Sequence, residues 1–427
     1  MAGNGSEKRS SRLLRAAADL QRADAFEPAP TGVGQGVSLE GVKATMRADR
    51  RQNRLAVVAF SALALVVIAF SLCLPYGIDT DLNSYYVICN PADVVQAYSV
   101  WFQANVAPLF DSTLANRAQL AINTYNAAHP DVPYSMIIDR VQVTFVVLVC
   151  GFLLACSGLL FQSAFRNPLA VPSMLGVSDG VTLGSILFVS LGYGYISSNP
   201  QLYYLCLYGC GALTLLAVYL LSRIISSGRG HSIFDMLLVG TVLSQLLGGV
   251  VNFISNFGMS LDSWNRLYEL KQATVNLAEP MTYVVVVVVA VVTIVPVFVL
   301  RFRLNLVSYT DEDMRMLGAR PNVLRGAAMV LGSLMQLAAI ASIGQVAMVS
   351  LAVPFIARLA FRNEFRSQLL GNFLIGAAVL LICEAVQHFA VVVVSGTMSV
   401  VPVGTLVAFV IMPFFCWFMA AGRRGWE

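Results

Sequence analysis

Few side chains in this chain have the type and spacing that chemistry requires. Its three histidines, His129, His231 and His388, are scattered, and no H-E-x-x-H or Cys-x-x-Cys pattern occurs. Neither a metal centre nor a nucleophile–base relay is expected. The three lysines are Lys8, Lys43 and Lys271, and none follows a glycine. A nucleotide-binding loop needs Gly-Lys against the phosphates, so the chain is not expected to hydrolyse ATP by that route. What remains are acids and amides inside apolar runs. Asp179 lies in GVSDGVTLGS, Asn252 and Asn256 are four apart on one helix face, and Glu384, Gln387 and His388 cluster together. Such groups are costly in hydrocarbon unless they face protein or water. Each is a candidate for lining a pathway, and equally for a hydrogen bond between helices.

The elements that must position these groups are membrane helices. Of 427 residues, 57% are hydrophobic and 12% charged, with mean hydropathy +0.73, against about 25% charged in soluble domains. The apolar runs are about 20 residues long and lack the alternation of a barrel strand. An all-α integral membrane protein follows. Ten spans are predicted, at about 55–74, 136–164, 171–191, 201–222, 232–255, 281–300, 322–343, 344–361, 369–392 and 401–421. Residues 1–54 read as a basic, disordered cytoplasmic tail, and residues 55–425 as the membrane domain. Residues 75–135 form a long outer loop in which Pro91–Gln103 is expected to be helical. Assigning ten Lys/Arg of the tail and thirteen later ones to the inner side accounts for 23 of 27. Only Arg117, Arg140, Arg266 and Lys271 fall outside. This asymmetry puts both termini in the cytoplasm. With the charges divided by membrane side, the net charge of +4 is no nucleic-acid signature. LAVP occurs at Leu169–Pro172 and again at Leu351–Pro354, a short echo on spans of opposite direction.

One polar stretch, residues 304–325, stands between two spans on the cytoplasmic side. Thr310 is an N-cap type with Asp313 three residues on, and Asp311, Glu312 and Asp313 put negative charge at a helix start. Gly318 suits the position past a helix end, and Pro321 the first position of the next helix. A helix of about two turns is predicted, with Met314 and Leu317 as its small apolar face. Held between two membrane helices, it is either a lever for another protein or a plain connecting loop.

The segment Gly158–Gly180, GLLFQSAFRNPLAVPSMLGVSDG, resembles the hallmark of the FecCD-type permeases, the membrane subunits of ABC importers for iron–siderophores, haem and vitamin B12. Gly158, Gln162, Asn167, Pro168, Leu169, Ala170, Pro172, Leu175, Gly176 and Gly180 match its pattern. Asp311–Ala319 is similar to the family's cytoplasmic coupling loop, Gly344–Arg358, with Pro354, to a further motif, and Val401–Phe415, with Pro402, Gly404 and Pro413, to a third. The resemblance covers about residues 55–425 and implies a vitamin B12 importer-like fold with cytoplasmic coupling helices. It departs from the family where only Arg140 is kept before the second span, where Phe355 replaces a histidine, and where Glu384 replaces an aspartate whose usual arginine is missing.

The resemblance implies two permease subunits around a central pathway, homo- or heteromeric, in a bacterial cytoplasmic membrane. Separate ATPase subunits would use the ATP, so no cofactor or metal is expected on this chain. Asp311, Glu312, Arg315, Leu317, Gly318 and Ala319 would couple to them, and an extracytoplasmic binding protein would deliver the cargo. The pathway would be lined by Gln245–Asn256 and Val403–Pro413, with a gate near Ser222–Ser232. An ion-driven secondary transporter is the alternative, with Asp179 and Glu384 as coupling carboxylates; it leaves the coupling loop unexplained.

Overall fold

The apolar runs fold as helices in the order in which they occur. The computed structural model describes residues 39–73, 76–78, 84–86, 91–105, 114–129, 134–190, 200–225, 233–256, 280–346, 348–361, 365–394 and 403–423. Helix α1 (Leu39–Leu72) leads to a small antiparallel ribbon of β1 (Tyr76–Ile78) and β2 (Ser84–Tyr86), with Gly77 opposite Tyr85. Helices α2 (Pro91–Asn105) and α3 (Leu114–Ala128) follow, and α4 (Tyr134–Phe165) returns through the bundle. Then come α5 (Val177–Val189), α6 (Pro200–Ile225), α7 (Ile233–Asn256), α8 (Pro280–Leu304), the short α9 (Asp311–Met316), α10 (Pro321–Ile343), α11 (Val349–Ala360), α12 (Phe365–Val394) and α13 (Val403–Arg423). Seven of these are long and apolar enough to cross a membrane, and α5, α11 and α13 add three shorter apolar helices, so the ten predicted spans each have a counterpart.

A helix that is apolar all round belongs in the middle of a bundle. Of the apolar stretch of α4, 83% is buried inside the molecule, whereas only 11% of that of α1 is. Helix α4 is the shaft on which α10, α12 and α11 pack. A second group, α5, α6 and α7, packs on itself and touches α10. Val94, Ala97, Val100, Tyr125 and Ile137 form a separate core that seats α2 and α3 on the N-terminal end of α4. His129 closes that pair, stacked on Tyr125 with ring centroids 4.6 Å apart and 3.6 Å from Asp93.

Small residues set how closely the shaft is approached. A Cβ on Gly158 of α4 would stand 1.7 Å from the Ser350 carbonyl of α11. That carbonyl is the one whose helical donor would be the amide Pro354 lacks, so it is free to lean onto α4. Gly332 of α10 faces the Phe161 ring, where an added Cβ would meet ring carbons at 2.9 Å. Gly332→Ala is expected to destabilise the bundle by about 1–3 kcal/mol through overpacking. The shift should appear in the thermal unfolding midpoint, and an unchanged midpoint would show that the Phe161 ring yields.

Three sequence expectations change. Residues 39–54, expected in a disordered tail, are helical as the start of α1. The third span is broken: a 3-10 turn, Pro172–Leu175, precedes α5, and Gly176 with φ +71 separates them. The eighth span starts at Val349 instead of 344, because Gly344 and Met348 both take left-handed φ values, 79 and 73. Just after Gly344, half-buried Gln345 donates to Thr182 Oγ1 at 2.7 Å and Val346 is buried in protein. The two LAVP copies are also not equivalent, since Pro172 opens the 3-10 turn and Pro354 lies inside α11.

Candidate functional site

Helix α9 is built by its own sequence. Thr310 accepts from the Asp313 amide at 3.2 Å and donates to Asp313 Oδ2 at 2.6 Å. At the other end the Gly318 amide bonds to the Arg315 carbonyl and the Ala319 amide to the Met314 carbonyl, at 3.0 and 2.8 Å. These two bonds, with Gly318 at φ +74, complete a Schellman stop. Thr310→Ala is expected to lose about 1 kcal/mol of local helix stability, read as faster amide exchange over residues 311–316. Unchanged exchange would mean that the flanking contacts hold α9 by themselves.

A long-range contact fixes this helix to the bundle. Arg325 of α10 is buried, reaches Asp311 Oδ1 at 2.5 Å, and donates to the Tyr309 carbonyl at 3.1 Å. Met314 is fully buried beneath α9, while Met316 and Leu317 are 84% and 61% exposed. The expected apolar face of Met314 and Leu317 is therefore corrected. Leu317 has left the helical geometry (φ −83, ψ 9), so a three-residue spacing does not bring it onto the Met314 face. The exposed tip is Met316, Leu317 and Gly318, flanked by exposed Glu312, Asp313 and Arg315. Asp311 is tied to Arg325 and Ala319 packs on the core, so neither stands free at the tip. Met316 went unnoticed in the sequence, although a methionine beside the Gly318 stop is the signal for it.

Within the membrane domain the motif residues build a junction. Gln162 of α4 is buried, accepts from Arg358 Nη2 of α11, and donates to the Leu351 carbonyl at 2.9 Å. Asn167 Oδ1 accepts the Leu169 amide at 2.9 Å, turning the chain after α4, and Pro168 is exposed in that turn. Pro172 is buried at the start of the 3-10 turn, and Gly180 abuts Thr214 of α6. Pro354 is buried inside α11. Asp179, in the first turn of α5, accepts from Ser244 Oγ of α7. The junction holds α4, α5, α7 and α11 together.

Two exposed faces carry the expected pathway residues. On α7, Thr241, Gln245, Asn252 and Asn256 are all exposed and fall within about 60° on the helical wheel. Asn256 donates to the Asn252 carbonyl at 2.9 Å. On α13, Thr405, Phe409 (74% exposed), Met412 and Pro413 are exposed, with Gly404 half-buried at its start. A polar stripe on a membrane helix needs water or a polar neighbour. Pro402 and residues 226–232 of the expected gate lie outside the described residues, as does the side chain of His388.

The bundle holds a charge pair, near the N-terminal end of α4, that sequence spacing did not reveal. Arg140 of α4 and Glu384 of α12 are 1% and 0% exposed. Arg140 Nη1 donates to Glu384 Oε1, and Nη2 to Oε2 at 2.8 Å. Its Nε and Nη2 also donate to the carbonyl and hydroxyl of Ser71 of α1, both at 2.7 Å, and Ser71 Oγ meets Thr144 Oγ1 at 3.0 Å. Arg140 is thus corrected from an outer-face charge to a buried one, and it supplies the guanidinium partner that Glu384 lacked locally. No group of three or more metal-ligating side chains occurs among the described residues.

A family model described as the FecCD transport family matches residues 111–421. A protein of Helicobacter pylori (strain ATCC 700392 / 26695), named a probable iron chelatin transport system permease protein, is 30% identical over 291 residues, covering 68% of this chain and 84% of its own length. The vitamin B12 import system permease protein BtuC of Citrobacter koseri is 26% identical over 285 residues, covering 67% and 82%. A solved inward-facing structure of a metal-chelate type ABC transporter superposes with a TM-score of 0.63 at 20% identity, covering 86% of this chain and 99% of that one, which speaks for the fold.

Proposed function

Because the chain belongs to the FecCD transport family and is a multi-pass permease of ABC importer type, we propose that it works as one half of a translocating pair. A separate ATPase subunit docks on α9, and an extracytoplasmic binding protein delivers the cargo. The cargo is a chelated iron, haem or a corrinoid, in line with relatives named for iron chelatin and vitamin B12.

The observation that carries this reading is the α9 tip. Met316 and Leu317 stand exposed on a helix that Thr310, the Gly318 stop and Arg325 hold in one orientation. A rigid apolar knob at the end of a membrane helix suits the transfer of a push from a docked protein. The α7 stripe supports the pairing, since a second copy would give Gln245, Asn252 and Asn256 a shared water-filled pathway instead of lipid. An ion-driven mechanism finds less support. Glu384 is bound by a two-pronged contact with the buried Arg140, the arrangement of a structural ion pair.

The test is co-purification of the tagged chain from its native membrane in mild detergent, with partners identified by mass. A stoichiometric ATPase subunit carrying its own Gly-Lys phosphate loop, with two permease chains, is expected. A chain that purifies alone and stable would overturn the reading.

A further inference from the structure

Asp179 stands apart from the other acids of the membrane domain. Glu384 has Arg140, whereas among the described residues no Lys, Arg or His lies within ion-pair distance of Asp179. Its partner is the Ser244 hydroxyl. Ser244 stands midway along α7, eleven residues from Ile233 and twelve from Asn256, so the carboxylate is about half-way through the membrane. It is only half-buried, as is Ser244. Ser244 is flanked by Thr241 and Gln245, which belong to the exposed polar stripe. Two glycines bring the α5 junction this close to α7. A Cβ on Gly176 would touch the Ser244 backbone at 3.5 Å, and one on Gly240 would meet the Met174 carbonyl at 2.5 Å. An ionisable side chain at this depth, with no counter-charge among the described residues and beside a polar face, marks a pathway.

We propose that Asp179 is a specificity-determining residue of the transport pathway: it places a fixed negative charge half-way along the α7 face, which favours cargo presenting positive charge or N–H and O–H donors and disfavours anionic cargo. The remaining pathway groups, Thr241, Gln245, Asn252 and Asn256, are neutral, so one carboxylate dominates the local potential. Ser244 holds the carboxylate towards α7 by donating its hydroxyl proton. This inference rests on the α7 face lining an aqueous pathway.

The test uses the full chain in its purified assembly, with Gln245→Cys as reporter. Small water-soluble methanethiosulfonate reagents, one cationic and one anionic, stand in for cargo of either charge, and peptide mass follows modification at position 245. Both reagents should react, the cationic one faster. Adding Asp179→Asn, which keeps the size of the side chain, should lower the cation-to-anion rate ratio about tenfold. Adding Ser244→Ala instead should leave the ratio high, since the charge remains. Silence of position 245 towards both reagents would sink the pathway reading and this inference with it. Reaction with a ratio indifferent to Asp179→Asn would overturn the inference alone. An equal fall with Ser244→Ala would do the same, by assigning the effect to packing. Each variant is first shown to assemble as the parent does.

Discussion

Glu384→Leu is expected to destabilise the bundle by about 3–5 kcal/mol, and Arg140→Met by a similar amount. Each change alone leaves one charge buried at 0–1% exposure without its counter-charge. Removing Arg140 falls at the upper end of that range, since its guanidinium also organises Ser71, and through Ser71 the Thr144 hydroxyl. The double variant removes both charges and should recover most of the loss, because apolar side chains of similar volume replace a desolvated pair at little net cost. A double-mutant cycle on unfolding free energy in bilayer-like particles reads this as a coupling of 2 kcal/mol or more, on the order seen for directly paired groups. Additive single losses would mean that the pair is not the structural unit described. Transport by the double variant separates two roles. Retained uptake assigns the pair to architecture, and a folded but inactive double variant assigns it to the transport cycle.

The second large effect concerns the α9 tip. Met316→Asp with Leu317→Asp should abolish transport, by about a hundredfold or more, and should remove the ATPase subunit from the purified assembly. Both side chains are exposed, so the permease itself should keep its melting behaviour. Two apolar anchors at the centre of a small contact typically carry a few kcal/mol of its affinity, and two carboxylates oppose any apolar pocket. Met314→Asp is the control, because Met314 is fully buried and its loss should unfold the region instead. Normal uptake by the double Asp variant would place the ATPase contact elsewhere.

What could be read from residues alone follows the range of the forces involved. The α9 capping, its Gly318 stop and the Pro321 start are contacts within six residues, and each appears in the structure as spelled. The ten apolar stretches were equally legible, since spanning a bilayer needs only length and hydropathy. The Arg140–Glu384 pair was not, because 244 residues separate its members and no local pattern signals it. Arg140 instead read as an outer loop charge, from its place near the start of a span. The late start of α11 was hidden for another reason. Met348 adopts φ 73, a conformation for which methionine carries no sequence signal, whereas the neighbouring Gly344 does. Of the α9 tip, Leu317 and Gly318 were named in advance and Met316 was not, because burial of Met314 depends on packing against α10 rather than on spacing.

Helix α1 carries a consequence for motion. It touches α12 near both ends of the membrane. Asn53 Nδ2 donates to Ser367 Oγ at 3.4 Å towards one end, and Ser71 shares Arg140 with Glu384 towards the other. The two holds are 18 residues apart on α1 and 17 apart on α12, about 27 Å and 26 Å in helices running the same way. Between them Phe60 rests 5.7 Å from the Phe361 ring, just ahead of α12. A slip of one turn would break both holds at once. So although α1 is the least enclosed of the long helices, it is a stay and not a piston. Any motion that keeps these contacts carries α1 and α12 together as one plank.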